Sequence, residues 1–264
     1  MTVELFHWNP VRPLGPRRGL RQRRSMVPVA NFGDLLGPVV VRALLAELGL
    51  AAAPARRPAV LLSVGSVVHL APPGAVVWGS GVNGKIASEA HDVTSLDVRA
   101  VRGPRTRAFL QGLGLTVPEV YGDPALLLGE LRGDLKQLPP ERDVLVVPNL
   151  NDGSLDDDGH ARLDPRSPLE HCLRMIATSR LVVGSSLHGV VVAEALGVPA
   201  RVVTTEHEPE FKYADYYGGT GRASYAAAAT VREGVAAGGE PGPVWDSRAL
   251  REAFPVDLWE RSLA

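Results

Sequence analysis

The strongest chemical signal in the chain is the run Leu181-Val182-Val183-Gly184-Ser185-Ser186-Leu187-His188-Gly189, which continues as an apolar helix to Leu196 and closes at Gly197-Val198-Pro199. A buried strand passes through a small-residue turn straight into a helix. Free backbone N–H groups and the positive end of the helix dipole therefore face whatever sits at the strand's end. That suits an anion. Ser185 or Ser186 can cap the helix and donate a hydroxyl, and His188 in the first turn can reach the same anion or pass it a proton. Taken alone, the turn reads at least as readily as a capped helix start with a satisfied surface histidine.

Other candidates are weaker one by one. Arg99 and Arg102 precede Gly103-Pro104 at a helix start, where two guanidinium groups can fork onto a carboxylate or phosphate, although 25 of the 28 basic residues are arginine and a surface role is the plainer reading. Asp34 and Asp123 each follow a glycine at the end of an element, a place for a cleft base or for an N-cap. Phe211-Lys212-Tyr213-Ala214-Asp215-Tyr216-Tyr217 reads as an aromatic, charged loop in which Lys212 can close onto an anion and the tyrosines can stack on a sugar or simply pack. Gly79-Ser80-Gly81-Val82-Asn83-Gly84-Lys85 matches both G-x-G-x-x-G and the start of a P-loop, but Ile86 stands where a P-loop needs Ser or Thr. A glycine turn lining an inter-domain cleft explains it better than a nucleotide site.

No metal site is expected. The seven histidines show no H-x-x-x-H spacing, and Asp152, Asp156, Asp157 and Asp158 lack the ligand spacing and terminal glutamate of an EF-hand. The single cysteine, Cys172, can form no internal disulfide and reads as core packing.

The elements that must position these groups alternate. Strands are expected at Val3 to Trp8, Ala59 to Val64, Ala75 to Trp78 and Glu119 to Tyr121, with helices at Leu35 to Leu48 and Arg102 to Leu113. After the polar stretch around Pro139-Pro140 the pattern restarts, with strands at Val144 to Val147, Leu181 to Val183 and Ala200 to Val203, and helices at Leu169 to Thr178 and Gly189 to Leu196. The expectation is two α/β halves with mostly parallel sheets, residues 1–135 and 136–264, the second ending in a C-terminal helix. Ligands in such folds sit at the carboxyl ends of the strands. The 264 residues carry a net charge of −1, which gives no global attraction for nucleic acid, and 45% hydrophobic residues give ample core. No leader or membrane span is read in the sequence, so a cytoplasmic protein is expected. Six arginines between Arg12 and Arg24, in a Pro- and Gly-broken loop, suit either solvent or an anionic membrane face.

Six blocks in order resemble the polysaccharide pyruvyl transferase family: Asn31-Phe32-Gly33-Asp34, Trp78-Gly79-Ser80-Gly81, Val101-Arg102-Gly103-Pro104-Arg105-Thr106, Tyr121-Gly122-Asp123-Pro124-Ala125-Leu126-Leu127, Ser185-Ser186-Leu187-His188-Gly189 and Phe211-Lys212-Tyr213-Ala214-Asp215-Tyr216. The resemblance implies a GT-B-like fold of two Rossmann-like domains facing across a cleft. It also implies transfer of a pyruvyl group from phosphoenolpyruvate to two hydroxyls of a sugar, giving a ketal and phosphate without a cofactor. It casts His188 as acid or phosphate ligand and Asp34 as acceptor base. Arg102 and Lys212, with Arg99, Ser185, Ser186, Leu187 and Gly189, would bind the donor. Asn31, Gly33, Gly79, Ser80, Gly81 and Asp123 would line the acceptor cleft, and the sugar acceptor could be lipid-linked. Some relatives carry arginine before Leu-His-Gly, where this chain has Ser186. A GT-B glycosyltransferase using a nucleotide sugar and a non-catalytic glycan-binding relative are the alternatives.

Overall fold

The structure, a computed structural model, describes residues 1–13, 26–87, 91 and 95–259. The first half runs β1 (Val3–Phe6), β2 (Val11–Pro13), β3 (Met26–Pro28), α1 (Phe32–Glu47), β4 (Ala59–Leu62), β5 (Val76–Trp78), β6 (Asp97–Ala100) and α2 (Pro104–Gly112). Short helices α3 (Leu128–Leu131) and α4 (Gly133–Lys136) lead to β7 (Arg142–Val146), β8 (Ala161–Arg162), α5 (Leu169–Ala177), β9 (Ser179–Gly184), α6 (Leu187–Ala195), β10 (Ala200–Val202), α7 (Phe211–Gly219), α8 (Val231–Ala237) and α9 (Arg248–Glu252). Two four-stranded sheets result, ordered β1-β4-β5-β6 and β10-β9-β7-β8, and every pairing within them is parallel. Helices cover strands such as β5, whose three residues are all buried, which is why these strands are continuous apolar runs without alternation.

Several expectations need correction. The Phe211 to Tyr217 segment is the helix α7, not a loop, because burial of Tyr213, Tyr216 and Tyr217 along one side overrides their modest helix propensity. The strand expected at Glu119 to Tyr121 is a single bridge between Val101 and Tyr121. The additional strands β6 and β8 were not anticipated, since both are short and carry polar residues. Of the arginine-rich loop, residues 14–25 lie outside the described residues; its flanks pair as the antiparallel β2 and β3. Among the described residues no helix is long and apolar enough to cross a membrane.

Each half has a small core cluster of its own, around Leu62 and Leu110 in the first and Val146 and Val203 in the second, and the largest cluster is shared. It joins Phe32, Leu36 and Trp78 to Leu145, Val191 and Tyr216. The chain's last segment also returns to the first sheet: the Trp78 indole donates to the Leu250 carbonyl (2.8 Å), the Trp245 indole to the Tyr121 carbonyl (3.0 Å), and Trp259 bridges Ala55. A division of the chain at residue 135 therefore leaves the C-terminal segment packed on the N-terminal half.

Candidate active site

Three helix starts meet at one cavity of about 260 Å³. The N-terminal half brings Asn31 and Asp34 from the start of α1, Ser66 from beyond β4, and Asn83 and Lys85 from beyond β5. The other half brings Ser186, Leu187 and His188 from the start of α6, Asn149 to Asn151 from beyond β7, and Glu208 and Lys212 around the start of α7. These positions are the carboxyl ends of strands in both sheets, where parallel α/β folds leave backbone dipoles and loops free for ligands.

Ser186 caps α6, its hydroxyl accepting from the Gly189 N–H (3.2 Å), while the Ser185 hydroxyl donates to Asp152 Oδ2 (2.5 Å) and accepts from the Asn149 N–H (3.0 Å). The Asn31 amide donates to Asp34 Oδ2 (2.5 Å). Burial raises the Asp34 carboxyl to about 6, against the opposing pull of that amide and of the Lys212 ammonium. Burial lowers Lys212 to about 8, with Glu208 pulling it back up and Lys85 and Arg102 adding to the depression.

His188 is the centre of the site. Its side chain is 13% exposed, and burial holds it down to about 3, helped by the positive charges of Lys212 and Arg102. Among the described residues its Nε2 has no hydrogen-bond partner, and it lies 3.9 Å from Asp123 Oδ2, which is fully buried and likewise without one. Burial raises Asp123 to about 6. With His188 neutral there is no ion pair, and each group shows the cost of burial undiminished by the other. The ring lies against Gly33, where an added Cβ would fall 2.2 Å from Nδ1. Alanine at position 33 is therefore expected to displace the imidazole and reduce turnover by about 10²-fold, the penalty attached to a misplacement of about 1 Å. Helix α1 should meanwhile retain its stability, since Ala favours a helix over Gly by about 1 kcal/mol; paired turnover and thermal denaturation measurements check both.

Two of the expected donor cations are placed differently. Arg99 lies on β6 and is held by Asp97 (2.6 Å) and Asp257 (3.0 Å), away from the cavity, because its strand position directs it to the C-terminal segment. Arg102 is 1% exposed, and protein groups engage all three of its nitrogens: Nε with Asp215 (3.0 Å), one terminal nitrogen with Ser66 Oγ (2.6 Å) and the other with the Val82 carbonyl (2.8 Å). It acts on the cavity through its field and braces the two halves. Gly79, Ser80 and Gly81, expected in the cleft, do not line the cavity: Gly79 lies against Pro124, Gly81 against the Arg102 guanidinium, and the Ser80 hydroxyl donates to the Gly65 carbonyl (2.8 Å). Gly189 packs on Val147. The Gly79 to Lys85 turn reads from sequence as cleft-lining, and Lys85 does line the cavity, but sequence reasoning assigned no ionic role there to Lys85 or Glu208; the scarcity of lysine was a further signal, since two of the chain's three lysines lie here.

A larger cavity, about 600 Å³, lies between the loops after β7 and β10 and the start of α8. Its ionisable lining includes Asp152, Asp156, Asp158 and Glu206, and its arginine, Arg232, is tied to Asp158 (2.6 Å). Such a lining repels an anionic donor. Among the described residues no three His, Cys, Asp or Glu side chains converge as a metal site.

Residues 48–207, more than half of the chain, match the family model for polysaccharide pyruvyl transferase. The chain belongs to that family. The polysaccharide pyruvyl transferase match takes in Lys85, Arg102, Asp123 and the Ser185 to Gly189 turn, while Asp34 and Lys212 lie outside it and reach the same cavity through the fold. A curated relative, the succinoglycan biosynthesis protein ExoV of Rhizobium meliloti (strain 1021), is 30% identical over 168 residues, 59% of this chain and 52% of the relative. The chain thus spans about half the length of that relative. A solved structure of a protein of uncharacterized function from Klebsiella pneumoniae subsp. pneumoniae NTUH-K2044 superimposes with a TM-score of 0.51 over 71% of this chain and 83% of that one. At 12% identity the likeness is one of fold.

Proposed function

We propose that this member of the polysaccharide pyruvyl transferase family transfers the pyruvyl group of phosphoenolpyruvate to two hydroxyls of a sugar in a polysaccharide or glycolipid. The family match supports the pyruvyl chemistry, and the relative's role in succinoglycan biosynthesis supports a polysaccharide acceptor. The observation that carries the donor assignment is the convergence of three helix starts, Lys212 and His188 on one cavity, which suits a small ligand bearing both phosphate and carboxylate. The two parallel sheets facing that cavity support a GT-B-like arrangement, with the donor mainly on the residues after β9 and β10 and the acceptor approaching from the α1 side.

The chemistry follows from charge. A proton delivered to the donor's methylene carbon leaves an oxocarbenium-like centre, which one sugar hydroxyl attacks as it loses its proton to Asp34. The second hydroxyl displaces phosphate, which departs with the remaining proton, and the ketal forms. His188, with Asp123 behind it, sits where the acid is needed, and Lys212 holds the anion. No cofactor takes part in this scheme. A cytoplasmic enzyme, in contact with an anionic membrane through Arg12 to Arg24 when the acceptor is lipid-linked, completes the reading.

Incubation with phosphoenolpyruvate and a panel of glycosides, following phosphate release, tests it. Acceptor-dependent release is expected. No release with any acceptor, together with no calorimetric binding of phosphoenolpyruvate, would remove the reading.

The pH profile of kcat/KM reports the free protein's groups. Above about 3 the need to protonate His188 makes it fall with pH, and ionisation of Asp34 offsets that fall up to about 6, so the profile should be flat to about 6, fall above it, and fall more steeply beyond about 8, where Lys212 loses the proton with which it holds the anion. Asp34→Asn and Asp123→Asn separate the two carboxyls near the break at about 6. Lys212→Arg should extend the alkaline limb, since a guanidinium keeps its proton.

A further inference from the structure

We propose that Lys85 is a second ligand for the donor's phosphate, delivered from the first sheet, and that Glu208 is a built-in stand-in for that phosphate, holding Lys85 and Lys212 together until the donor displaces it. This rests on the cavity being the donor site. One carboxylate bridges two ammonium groups, one on each oxygen: Lys85 Nζ lies 2.8 Å from Oε1 and Lys212 Nζ 3.0 Å from Oε2. The Glu208 side chain is 9% exposed, so its charge is largely removed from water and depends on the lysines for compensation. The two lysines and the carboxylate all line the same cavity.

The geometry of Lys85 is set by its loop. Asn83 Oδ1 accepts from the Lys85 N–H (2.8 Å) and the Ile86 N–H (3.3 Å), a local turn that fixes the backbone under the side chain. Gly84 has φ +73°, and an added Cβ would come within 2.6 Å of the Phe211 Cβ, so the loop is latched onto the first residue of α7, next to Lys212. The resemblance of Gly79 to Lys85 to a P-loop thus has a physical basis of another kind: the lysine reaches a phosphate position, but across two halves of the fold.

Residue type points the same way. In a chain with 25 arginines, two of three lysines meet here. An ammonium is a compact point charge that can leave one oxygen for another, whereas a guanidinium locked in a bidentate fork exchanges poorly. Two cations against one carboxylate leave a net positive charge for the incoming anion. A phosphate dianion outcompetes a single carboxylate for both lysines, and Glu208 then moves aside into the cavity's solvent-facing margin.

Calorimetric titration of the full chain with inorganic phosphate and with phosphoenolpyruvate, near neutral pH, tests this. Lys85→Met should weaken phosphate binding by about tenfold or more, the size of a charge-assisted contact, and Lys85→Arg should restore only part of it, since a guanidinium forked onto Glu208 gives way less readily to phosphate. Glu208→Gln, which removes the competing anion, should tighten phosphate binding several-fold, about the size of one screened charge. Circular dichroism and thermal denaturation confirm that each variant folds. Unchanged phosphate affinity in both Lys85→Met and Glu208→Gln would overturn the lysine pair while leaving the donor reading intact if turnover persists. Phosphate affinity that responds as expected, in a protein that never consumes phosphoenolpyruvate, would keep the pair and remove the donor assignment. No phosphate binding by the unaltered chain would overturn the pair directly.

Discussion

His188→Asn is expected to lower the proposed pyruvyl transfer by about 10²–10⁴-fold, the range for loss of a general acid, while leaving the fold intact. In the proposed role this histidine must come to carry a proton. At about 3, the imidazole is neutral near physiological pH and cannot serve as an acid. Raising it to neutrality requires about 4 units, or about 5 kcal/mol. Two sources are at hand. A donor anion would offset the Lys212 and Arg102 charges that help depress His188, and Asp123 Oδ2, 3.9 Å from Nε2 and unpartnered, needs to move by only about an ångström to accept the imidazolium proton. Opposite charges at such distances each contribute about 1–3 units. Binding of the proposed donor, phosphoenolpyruvate, should therefore take up about half a proton at neutral pH. Calorimetry in buffers of different ionisation enthalpy measures that uptake, which should vanish in His188→Asn and shrink in Asp123→Asn. Transfer that survives His188→Asn but not Lys212→Met would instead place the acid at Lys212, which burial brings to about 8 and which already carries a proton near neutral pH.

Arg102→Ala should destabilise the protein by about 3–5 kcal/mol, the cost of leaving one partner of a buried ion pair alone. Asp215 is fully buried and would keep only the Thr106 N–H (2.8 Å) and the Thr106 hydroxyl (2.7 Å). Ser66 and the Val82 carbonyl would lose their donor as well. Because Asp215 lies on α7 and Arg102 just before α2, the loss would loosen the seam between the halves and with it the placement of Lys212. A loss of that size is a large part of the about 5–15 kcal/mol that holds a typical domain together. Urea denaturation should show a lowered midpoint. A variant of unchanged stability that simply loses donor affinity would mean that Arg102 is a ligand and not a brace.

What the sequence by itself determined is local. The Ser185 to Gly189 turn was legible because strand, small residues, cap and first helical turn follow one another in the chain, and the structure starts α6 at Leu187 with Ser186 as its cap. The parallel α/β class was legible for the same reason, from apolar runs alternating with helix-length segments. What tertiary structure decided depends on partners far apart in sequence. Arg102 read as a free cation because Asp215, which occupies it, lies 113 residues away. Lys85 read as a failed P-loop because Glu208 lies 123 residues away. Asp123 read as a cleft residue or a cap, and it is both a cap for Ala125 and the buried group facing His188, a pairing visible only once the halves are packed. Sequence position specifies which groups are available and which turn presents them. Their ionisation and their roles follow from desolvation and from neighbours, and both are properties of the folded molecule.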